Sequence, residues 1–490
     1  MKKYYITTPL YYVNYPPHIG HAYTTVAADV VARYKKMKGI DVFFQTGTDE
    51  HGINIERTAQ RHSKTPKEWA DEIMKHFVDM WKVLHIDYDY FIRTTDKEHE
   101  RQVQLVFEKL IDSGDIYKGG YEGLYCSSCE NFYEEAELIS GSCPVHKKPV
   151  ERVSEETYFF KLSNYQNKLL EFYEKNPSFL SPSYRASEVI NFVKGGLKDL
   201  SVSRTRVKWG IPVLRDPDHT IYVWFDALLN YITGPGYKVD GNNEEFFKIW
   251  PCDVHFIGKE IFRFHAVIWP AILMALDLPL PKRVYAHGWW TVENEKMSKS
   301  RGNIINPLDI VKEYSSDVFR YFILREVPFG QDGDFSSQAL KNRYNSELCN
   351  GLGNLFSRVM SMVRKYCNNL IAEKPLSLVF FDELMNIDRI YEREMEEFNF
   401  SSALEAVMKA VYYMNKEIDE KKPWEIAKND MENLKRFLND MLWGLRMIAK
   451  WIYPFMPQTS LKITMHLADD KNKQRIMNNE KIELLFPRKV

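Results

Sequence analysis

The sequence predicts an α/β protein with a parallel sheet, interrupted by an insertion and followed by an all-helical domain. Near the N-terminus, an apolar segment, a helical pattern and a second apolar segment follow one another at the length of a βαβ unit. Between about residues 117 and 221, glycines, cysteines and short polar stretches replace the helical patterns. After about residue 340, nearly all of the chain has helical periodicity.

The predicted elements follow in chain order. KYYITTPLYYV is rich in β-branched and aromatic residues and predicts the first strand. Apolar residues at helical spacing between His18 and Lys38, with Gly39 after them, predict the first helix. DVFFQTG predicts a buried second strand, and DVHFIGKE and RVYAHGWWTV predict two more, separated by a helix through FRFHAVIWPAILMAL. MLWGLRMIAKWIYPFM predicts a long buried helix in the C-terminal domain.

Composition restricts the class of protein only loosely. The 490 residues are 44% hydrophobic, enough for three or four domains. A net charge of -1 leaves nucleic-acid binding open, because a basic patch can lie within a neutral total. The first residues do not form a signal-peptide core, and no apolar run is long enough for a membrane span. We therefore expect a cytosolic protein whose six cysteines are not paired in structural disulfides.

Two histidines stand at the predicted start of the first helix. In a parallel sheet, ligands bind near the carboxyl ends of the strands, where this helix begins. Backbone N–H groups and the helix dipole favour a phosphate there, and His18 and His21 could add imidazole donors. Gly20 would leave room for a nucleotide. The alternative is a pair of ordinary surface histidines.

A polar lysine-bearing loop, NEKMSKSRGN, follows the last predicted strand. Ammonium groups on such a loop can neutralise charge that develops on phosphates as a bond breaks. The alternative is a solvated basic loop with no ligand.

The insertion contains a cysteine and histidine pattern of the form C-x2-C and C-x2-H. This spacing is typical of a closed tetrahedral zinc site, which would be structural because no position is left for a substrate. The alternatives are a redox pair or unligated thiols. The predicted ligands are Cys126, Cys129, Cys143 and His146.

HIGH at residues 18–21 and KMSKS at residues 296–300, in this order, resemble the two motifs of class I aminoacyl-tRNA synthetases. Five longer segments are similar to the methionyl-tRNA synthetase family, in its bacterial type with one zinc knuckle. They are TPLYYVNYPPHIGH, GTDEHG, YVWFDALLNY, HFIGKEIFRFHAVIWP and HGWWTVENEKMSKSRGN. The resemblance implies that His18, His21, Lys296 and Lys299 are catalytic. It also implies an ATP site formed by His18, Gly20, His21, Lys296, Ser298 and Lys299.

The same resemblance implies a domain plan. Residues 1–116 and 222–289 would be the halves of a Rossmann-type catalytic domain, and residues 117–221 the connective insertion with the zinc knuckle. Residues 290–349 would carry KMSKS and contact the tRNA stem, and residues 350–490 would form the anticodon-binding helices.

The resemblance further implies an aromatic pocket for methionine, whose polarizable sulfur suits aromatic walls. Asp49 would bind the substrate ammonium group, and Tyr12 and His265 would be the polar contacts near the thioether. Without the resemblance, Trp224 and Trp269 are interpreted as core residues. The implied pocket comprises Leu10, Tyr12, Asp49, Trp224, Ala227, Leu228, Tyr231, Ile261, His265 and Trp269.

For tRNA, the resemblance assigns three residues to the anticodon. Asn354 and Arg358 lie four residues apart on one predicted helix face and would bond base edges, while Trp424 would stack on a base. Without the resemblance, Trp424 after Pro423 is a helix-capping core residue.

The implied activity is the ATP-dependent joining of methionine to the 3′ end of tRNA(Met), including initiator tRNA, with release of AMP and pyrophosphate. Mg²⁺ would accompany ATP, and one structural Zn²⁺ would be held by the insertion. Synthetases for valine, isoleucine or leucine, a cysteinyl enzyme and a non-catalytic tRNA-binding paralogue are the alternatives. We expect a monomer without membrane association, with a separate tRNA-binding subunit as the alternative.

Overall fold

The computed structural model describes residues 2–126, 131–133, 135–144, 147–292, 295–296, 305–367, 375–467 and 484–489. The chain forms two compact units. The first consists of Met1–Pro17, Lys35–Lys82 and Ile86–His287, and the second of His18–Tyr34, Val83–His85 and Gly288–Val490. The finer domain boundaries given above stay predictions.

Strands and helices alternate in the first half of the chain, and helices dominate the second half. The described strands are β1 Tyr4–Thr7, β2 Tyr11–Tyr12, β3 Val42–Asp49, β4 Tyr90–Arg93, β5 Ile116–Cys126, β6 Asn131–Tyr133, β7 Glu151–Phe160, β8 Leu180–Ser181, β9 Leu200–Ser201, β10 Ser203–Arg204, β11 Pro212–Val213, β12 Asp216–Ile221, β13 Val254–Gly258, β14 Val284–His287, β15 Trp290–Val292, β16 Glu295–Lys296 and β17 Gly333–Phe335.

The α-helices have the following bounds in the same part of the chain: α1 Ile19–Met37, α2 Ile53–Arg61, α3 Pro66–Val83, α4 Lys97–Asp112, α5 Gln166–Lys175, α6 Ser183–Lys194, α7 Val223–Thr233, α8 Glu244–Ile249, α9 Trp269–Ala275, α10 Pro307–Glu313, α11 Ser316–Arg325, α12 Ser337–Arg343, α13 Asn354–Tyr366, α14 Leu378–Glu396, α15 Phe400–Lys421, α16 Pro423–Asn429, α17 Met431–Ile452 and α18 Pro457–Leu467. None of these described helices combines the length and apolarity that a membrane span requires.

A parallel sheet organises the first unit and confirms the predicted α/β fold. β1 pairs with β3 on one side and β13 on the other, β14 follows β13, and β8 pairs with β14 at the far edge. β3 also pairs in parallel with β2 and β4. Since β8 lies within the predicted insertion, the insertion contributes an edge strand to this sheet.

The first predicted strand is interrupted in the structure. β1 pairs Thr7 with Gln45, whereas β2 pairs Tyr11 with Thr48, so the register moves by one residue between them. Pro9 lies in this gap and has no N–H group to donate to a neighbouring strand. The interruption places Tyr12 opposite Asp49 at the carboxyl end of β3.

The strands of the predicted insertion pair mainly in antiparallel fashion. β5, β6, β7 and β9 form one sheet, and β10, β11 and β12 form another. β5 and β7 pair along ten positions, from Ile116 opposite Phe160 to Tyr125 opposite Glu151. This region also contains α5 and α6, which the glycine-rich and polar texture of the sequence did not indicate.

Among the described residues, the second unit is helical apart from a small sheet of β15, β16 and β17, which confirms the helical C-terminal region. The long predicted helix is α17. Fully buried Arg320 of α11 joins several elements of this unit: its guanidinium lies 2.6 Å from Asp29 of α1 and donates to the carbonyls of Leu84, Pro454 and Phe455. The first turns of α1 therefore belong to the same packed body as the C-terminal helices.

The predicted helix through FRFHAVIWPAILMAL is present, but it is not a regular α-helix around His265. Residues Lys259–Ile261 form a 3₁₀ turn, Phe264–Ile268 form a π-helical turn, and α9 begins only at Trp269. Pro270 has no N–H group, so it cannot donate to the carbonyl four residues earlier. That carbonyl, of Ala266, instead accepts a 2.6 Å hydrogen bond from the Tyr173 hydroxyl.

Candidate active site and tRNA-binding residues

His18 and His21 act as acceptors at the start of α1, in the second unit. The His18 N–H donates to Nδ1 of His21, and the Gly20 N–H donates to Nδ1 of His18, each over 3.1 Å. The first turn of α1 contains no acidic residue. The imidazoles therefore cap helix N–H groups without placing a negative charge where a phosphate would bind.

These bonds also define the proton positions on the two rings. A ring nitrogen that accepts a hydrogen bond carries no proton, so neutral His18 and His21 carry theirs on Nε2. Burial, and then the neighbouring His18, lower the pKa of His21 well below its ordinary value. The pair thus presents neutral N–H donors. A Cβ on Gly20 would lie 2.9 Å from the His18 ring, so this glycine makes room for the imidazole itself.

The predicted lysine loop lies mostly outside the described residues, including Ser298 and Lys299. Of Lys296, the backbone is described: it pairs with Thr291 in the small sheet. Beyond the loop, the Ile305 carbonyl accepts from the N–H of Ile19, the first residue of α1. The described end of this segment is therefore anchored at the helix that begins beside His18.

The implied methionine-binding residues all lie in the first unit. Trp224 of α7 is partly buried and stacks on Phe264 with ring centroids 3.9 Å apart. Ala227 and Leu228 are buried on the same helix, and Trp269 is fully buried at the start of α9. Leu10 and Ile261 are partly buried in connecting segments.

Tyr231 and His265 form the buried polar contact among these aromatic rings. The Tyr231 hydroxyl lies 2.8 Å from Nε2 of His265, and Nδ1 of His265 lies 3.0 Å from the Ile261 carbonyl. Because a carbonyl only accepts, Nδ1 donates and Nε2 accepts the hydroxyl proton. Burial lowers the pKa of His265 to about 4, against the opposing effect of the Ile261 carbonyl, so the ring is neutral at neutral pH.

A second buried histidine, His255, contacts aromatic residues of the same implied pocket. His255 of β13 bonds Thr7 of β1 through Nδ1 over 2.7 Å, and its Nε2 accepts from the Trp269 indole over 3.3 Å. Its ring lies 4.2 Å from that of Tyr231. Burial, and then His265, lower the pKa of His255 well below its ordinary value. This histidine fixes the orientations of two pocket aromatics, a role that its strand position in the sequence did not indicate.

Asp49 ends β3 and is partly buried, opposite Tyr12 of β2. The turn that follows is held on both sides by Trp209, whose indole donates to the Glu50 carbonyl and whose own carbonyl accepts from Gly52. Gly52 has φ of 107°, a conformation that favours glycine. The carboxylate that is implied to bind the substrate ammonium group therefore lies directly before a turn that is held by two hydrogen bonds.

The residues assigned to the anticodon lie on α13 and α16 of the second unit. Asn354 is exposed, and its amide lies 3.3 Å from that of Asn415 on α15. Arg358 donates to Asp419 of α15 over 2.6 Å. The Trp424 indole is 43% exposed, so its interpretation as a core residue is wrong.

The predicted zinc ligands are described only in part, since Cys129 and His146 lie outside the described residues. Cys126 ends β5 and Cys143 follows a tight turn, and both are buried thiols that form no disulfide. Two buried thiols in this glycine-rich region fit a structural zinc site. No cluster of three or more potential metal ligands occurs among the residues that the structure describes.

Sequence reasoning also missed a cluster of buried or partly buried ionisable residues formed by His51, His99, Glu100 and Asp226. His51 and Asp226 stand inside the quoted motifs GTDEHG and YVWFDALLNY, which was the available signal. The pairing of these motifs requires the tertiary fold.

Comparison with known proteins agrees with this geometry. The family model for class I (M) tRNA synthetases matches residues 4–155 and 145–360. Methionine–tRNA ligase of Caldanaerobacter subterraneus subsp. tengcongensis is 52% identical over 95% of this chain and 74% of its own length, and that of Thermotoga maritima is 47% identical over 94% and 74%. The solved structure of Mycobacterium tuberculosis methionyl-tRNA synthetase in complex with methionyl-adenylate superposes with a TM-score of 0.92, at 40% identity over the full length of both chains. The chain therefore belongs to the methionine–tRNA ligase family of class I aminoacyl-tRNA synthetases.

Proposed function

We propose that this member of the family activates methionine through the buried Tyr231–His265 pocket and the histidine-capped start of α1. In the first step, the methionine carboxylate attacks the α-phosphate of ATP, forming methionyl-adenylate and releasing pyrophosphate. In the second, a ribose hydroxyl of the terminal adenosine of tRNA attacks the acyl carbon and releases AMP. No covalent enzyme intermediate is required, so positioning and electrostatic stabilisation carry the rate.

His18 and His21 are assigned to the phosphates as neutral donors. The support is the acceptor role of both Nδ1 atoms, which places the proton of each ring on Nε2. Lys299, with Lys296, is assigned to the charge that develops on the departing pyrophosphate, and Ser298 to ATP binding. Mg²⁺ accompanies ATP as part of the substrate.

The methionine side chain is assigned to the aromatic pocket, and its ammonium group to Asp49. The single observation that carries this assignment is the neutral His265, held by Ile261 on one nitrogen and Tyr231 on the other. An aromatic pocket that contains a neutral, hydrogen-bonded imidazole can bind a thioether side chain without burying an unpaired charge.

Binding of tRNA(Met), including initiator tRNA, is assigned to Asn354, Arg358 and Trp424 on the C-terminal helices. The exposed indole offers a face on which a base can stack, and the amide and guanidinium offer hydrogen bonds to base edges. We place the protein in the cytoplasm and propose a monomer, which size-exclusion chromatography with light scattering tests directly.

One structural Zn²⁺ is proposed for Cys126, Cys129, Cys143 and His146. Bound there, the ion would crosslink the turns of the insertion. The two described thiols, Cys126 and Cys143, are buried and form no disulfide.

ATP–pyrophosphate exchange with each of the twenty amino acids tests the proposal. We expect exchange with L-methionine to exceed that with every other amino acid, and the Asp49→Asn and Tyr231→Phe variants to raise the methionine KM. Preferred exchange with leucine, valine, isoleucine or cysteine, or none with any amino acid, would contradict it.

A further inference from the structure

A buried imidazole–carboxylate pair connects the two segments that carry the assigned methionine-binding residues. His51 follows the end of β3 two residues after Asp49, and Asp226 lies on α7 between Trp224 and Ala227. Nδ1 of His51 lies 2.7 Å from Oδ2 of Asp226, and both residues are almost completely buried.

The other oxygen of Asp226 is held as well. Nε2 of His99, on α4, donates to Oδ1 of Asp226 over 2.7 Å, and Nδ1 of His99 lies 2.7 Å from the Thr233 hydroxyl at the end of α7. His99 therefore holds α7 at two positions seven residues apart. With an imidazole on each oxygen, the Asp226 carboxylate has one defined orientation.

His51 is equally restrained on its own side. Its ring contacts Trp209 edge-on at 5.6 Å, and Trp209 bonds the backbone of both neighbours of His51 in the turn, Glu50 and Gly52. The Glu50 carboxylate accepts two bonds from Arg93 of β4, at 2.7 and 2.8 Å. The pair thus joins two segments that are each held in place by further hydrogen bonds.

The charges of the pair support each other. Burial by itself lowers the pKa of His51, but the charge of Asp226 and the bond to it, with Glu100 and Asp49 adding, outweigh burial and raise the pKa to about 10. Burial raises the pKa of Asp226, but the charge of His51 and the bonds from His51 and His99 outweigh it and lower the pKa. Both groups therefore stay ionised near neutral pH, as a charge-assisted hydrogen bond requires.

We propose that His51 and Asp226 are positioning residues that fix the spacing between Asp49 and the pocket residues of α7, and that they thereby select the length of the amino-acid side chain. This inference rests on the proposed methionine pocket. Asp49 takes one end of the substrate, and Trp224, Ala227, Leu228 and Tyr231 of α7 take the other. Because the methionine side chain is unbranched and flexible, the rigidity needed for length selection must come from the protein.

The test uses the near-isosteric variants Asp226→Asn and His51→Gln. ATP–pyrophosphate exchange is measured with L-methionine, with S-methyl-L-cysteine, whose side chain is shorter by one methylene, and with L-ethionine, which is longer by one. We expect the methionine KM to rise about tenfold, as for loss of a hydrogen bond between charged groups, with a smaller change in kcat. The preference for methionine over the two analogues should fall by at least about fivefold, while the KM for ATP stays unchanged.

His219→Gln is the matched control, because His219 is another buried histidine of the same unit, bonded to Ser203 outside the pocket. Its kinetic constants should match those of the wild type. Circular dichroism and thermal unfolding establish that each variant is folded. Should the two main variants fail to fold, Thr233→Val removes only the hydroxyl that holds His99, and the analogue preference should then fall by about twofold.

An unchanged preference among the three amino acids in folded variants overturns the inference, even with a raised methionine KM, because that pattern describes a merely structural role. Asp49→Asn and Tyr231→Phe are measured in parallel. If these also leave the methionine KM unchanged, the proposed pocket itself fails. If they raise it while the His51, Asp226 and Thr233 variants behave as wild type, only the positioning role fails.

Discussion

The residues assigned to small substrates and those assigned to tRNA differ in how the protein holds them. In the pocket, Tyr231 and His265 are buried and each has a defined hydrogen-bond partner. On the C-terminal helices, Trp424 and Asn354 are exposed, and Arg358 is held by an ion pair with an exposed carboxylate.

The difference follows from what each region has to recognise. A substrate as small as methionine offers few contacts, so selectivity requires groups that are oriented before it binds. An RNA loop offers stacking faces and base edges over a large area, and exposed side chains can adjust to it. Substitutions in the buried set, Tyr231 and His265, should therefore affect activation of the amino acid. Substitutions in the set on the C-terminal helices, Trp424, Asn354 and Arg358, should affect only the reaction with tRNA.

His21→Asp should give the largest effect. The carboxylate can still accept the His18 N–H and cap α1, but it replaces a neutral donor with a negative charge where the phosphates are assigned. We expect adenylate formation to fall by at least about a hundredfold, as for loss of an oxyanion donor. Burst-phase formation of methionyl-adenylate measures this, and His21→Asn, which keeps a donor, should lose less. Equal activity of the Asp and Asn variants would contradict the neutral-donor role.

Acidification should weaken the buried set through His265. Its pKa is lowered to about 4 in the folded chain from an ordinary 6.5, so the unfolded chain binds more protons between these values. The stability contributed by the neutral ring is therefore present above pH 6.5 and is lost as the pH falls, by about 2 kcal/mol between pH 7 and 5. The difference in free energy of unfolding between wild type and His265→Gln, obtained from thermal unfolding, should become smaller as the pH is lowered from 7 to 5. A difference that is constant with pH would show that His265 does not titrate as described.

Trp424→Ala should reduce kcat/KM for tRNA about tenfold, because stacking of one base on an aromatic ring contributes about 1–3 kcal/mol. Methionine-dependent pyrophosphate exchange should not change. Tyr184→Ala, which removes an exposed aromatic ring of the first unit, is the matched control and should retain aminoacylation. Loss of pyrophosphate exchange in Trp424→Ala would contradict the separation of residues that recognise the amino acid from residues that recognise tRNA.

Tyr231→Phe should raise the methionine KM about fivefold, because it leaves the buried acceptor Nε2 of His265 without its hydroxyl partner. Exchange kinetics at saturating ATP measure this. Tyr165→Phe removes another buried hydroxyl of the same unit, one that bonds Asp115, and should not affect the methionine KM. A similar rise in both variants would indicate a general loss of stability.

Local pattern was sufficient to predict the parallel sheet and the C-terminal helices. Periodicity identified α1 and α17 because their apolar faces repeat along the sequence. It could not identify the π-helical turn at His265, which depends on the missing N–H of Pro270 and on Tyr173, far away in the chain.

The buried polar partners were beyond sequence reasoning for the same reason. His51 and Asp226 are 175 residues apart, and Thr7 and His255 are 248 apart. Each belongs to a segment whose local pattern is complete without its partner, so only the three-dimensional fold shows that they are paired.

The most direct test of the account compares one buried and one exposed residue in the same assay, ATP–pyrophosphate exchange at varied methionine concentration. We predict that Tyr231→Phe raises the methionine KM while Trp424→Ala leaves it at the wild-type value. An unchanged KM in Tyr231→Phe, or an equal change in both variants, would contradict the claim that amino-acid recognition resides in the buried aromatic pocket.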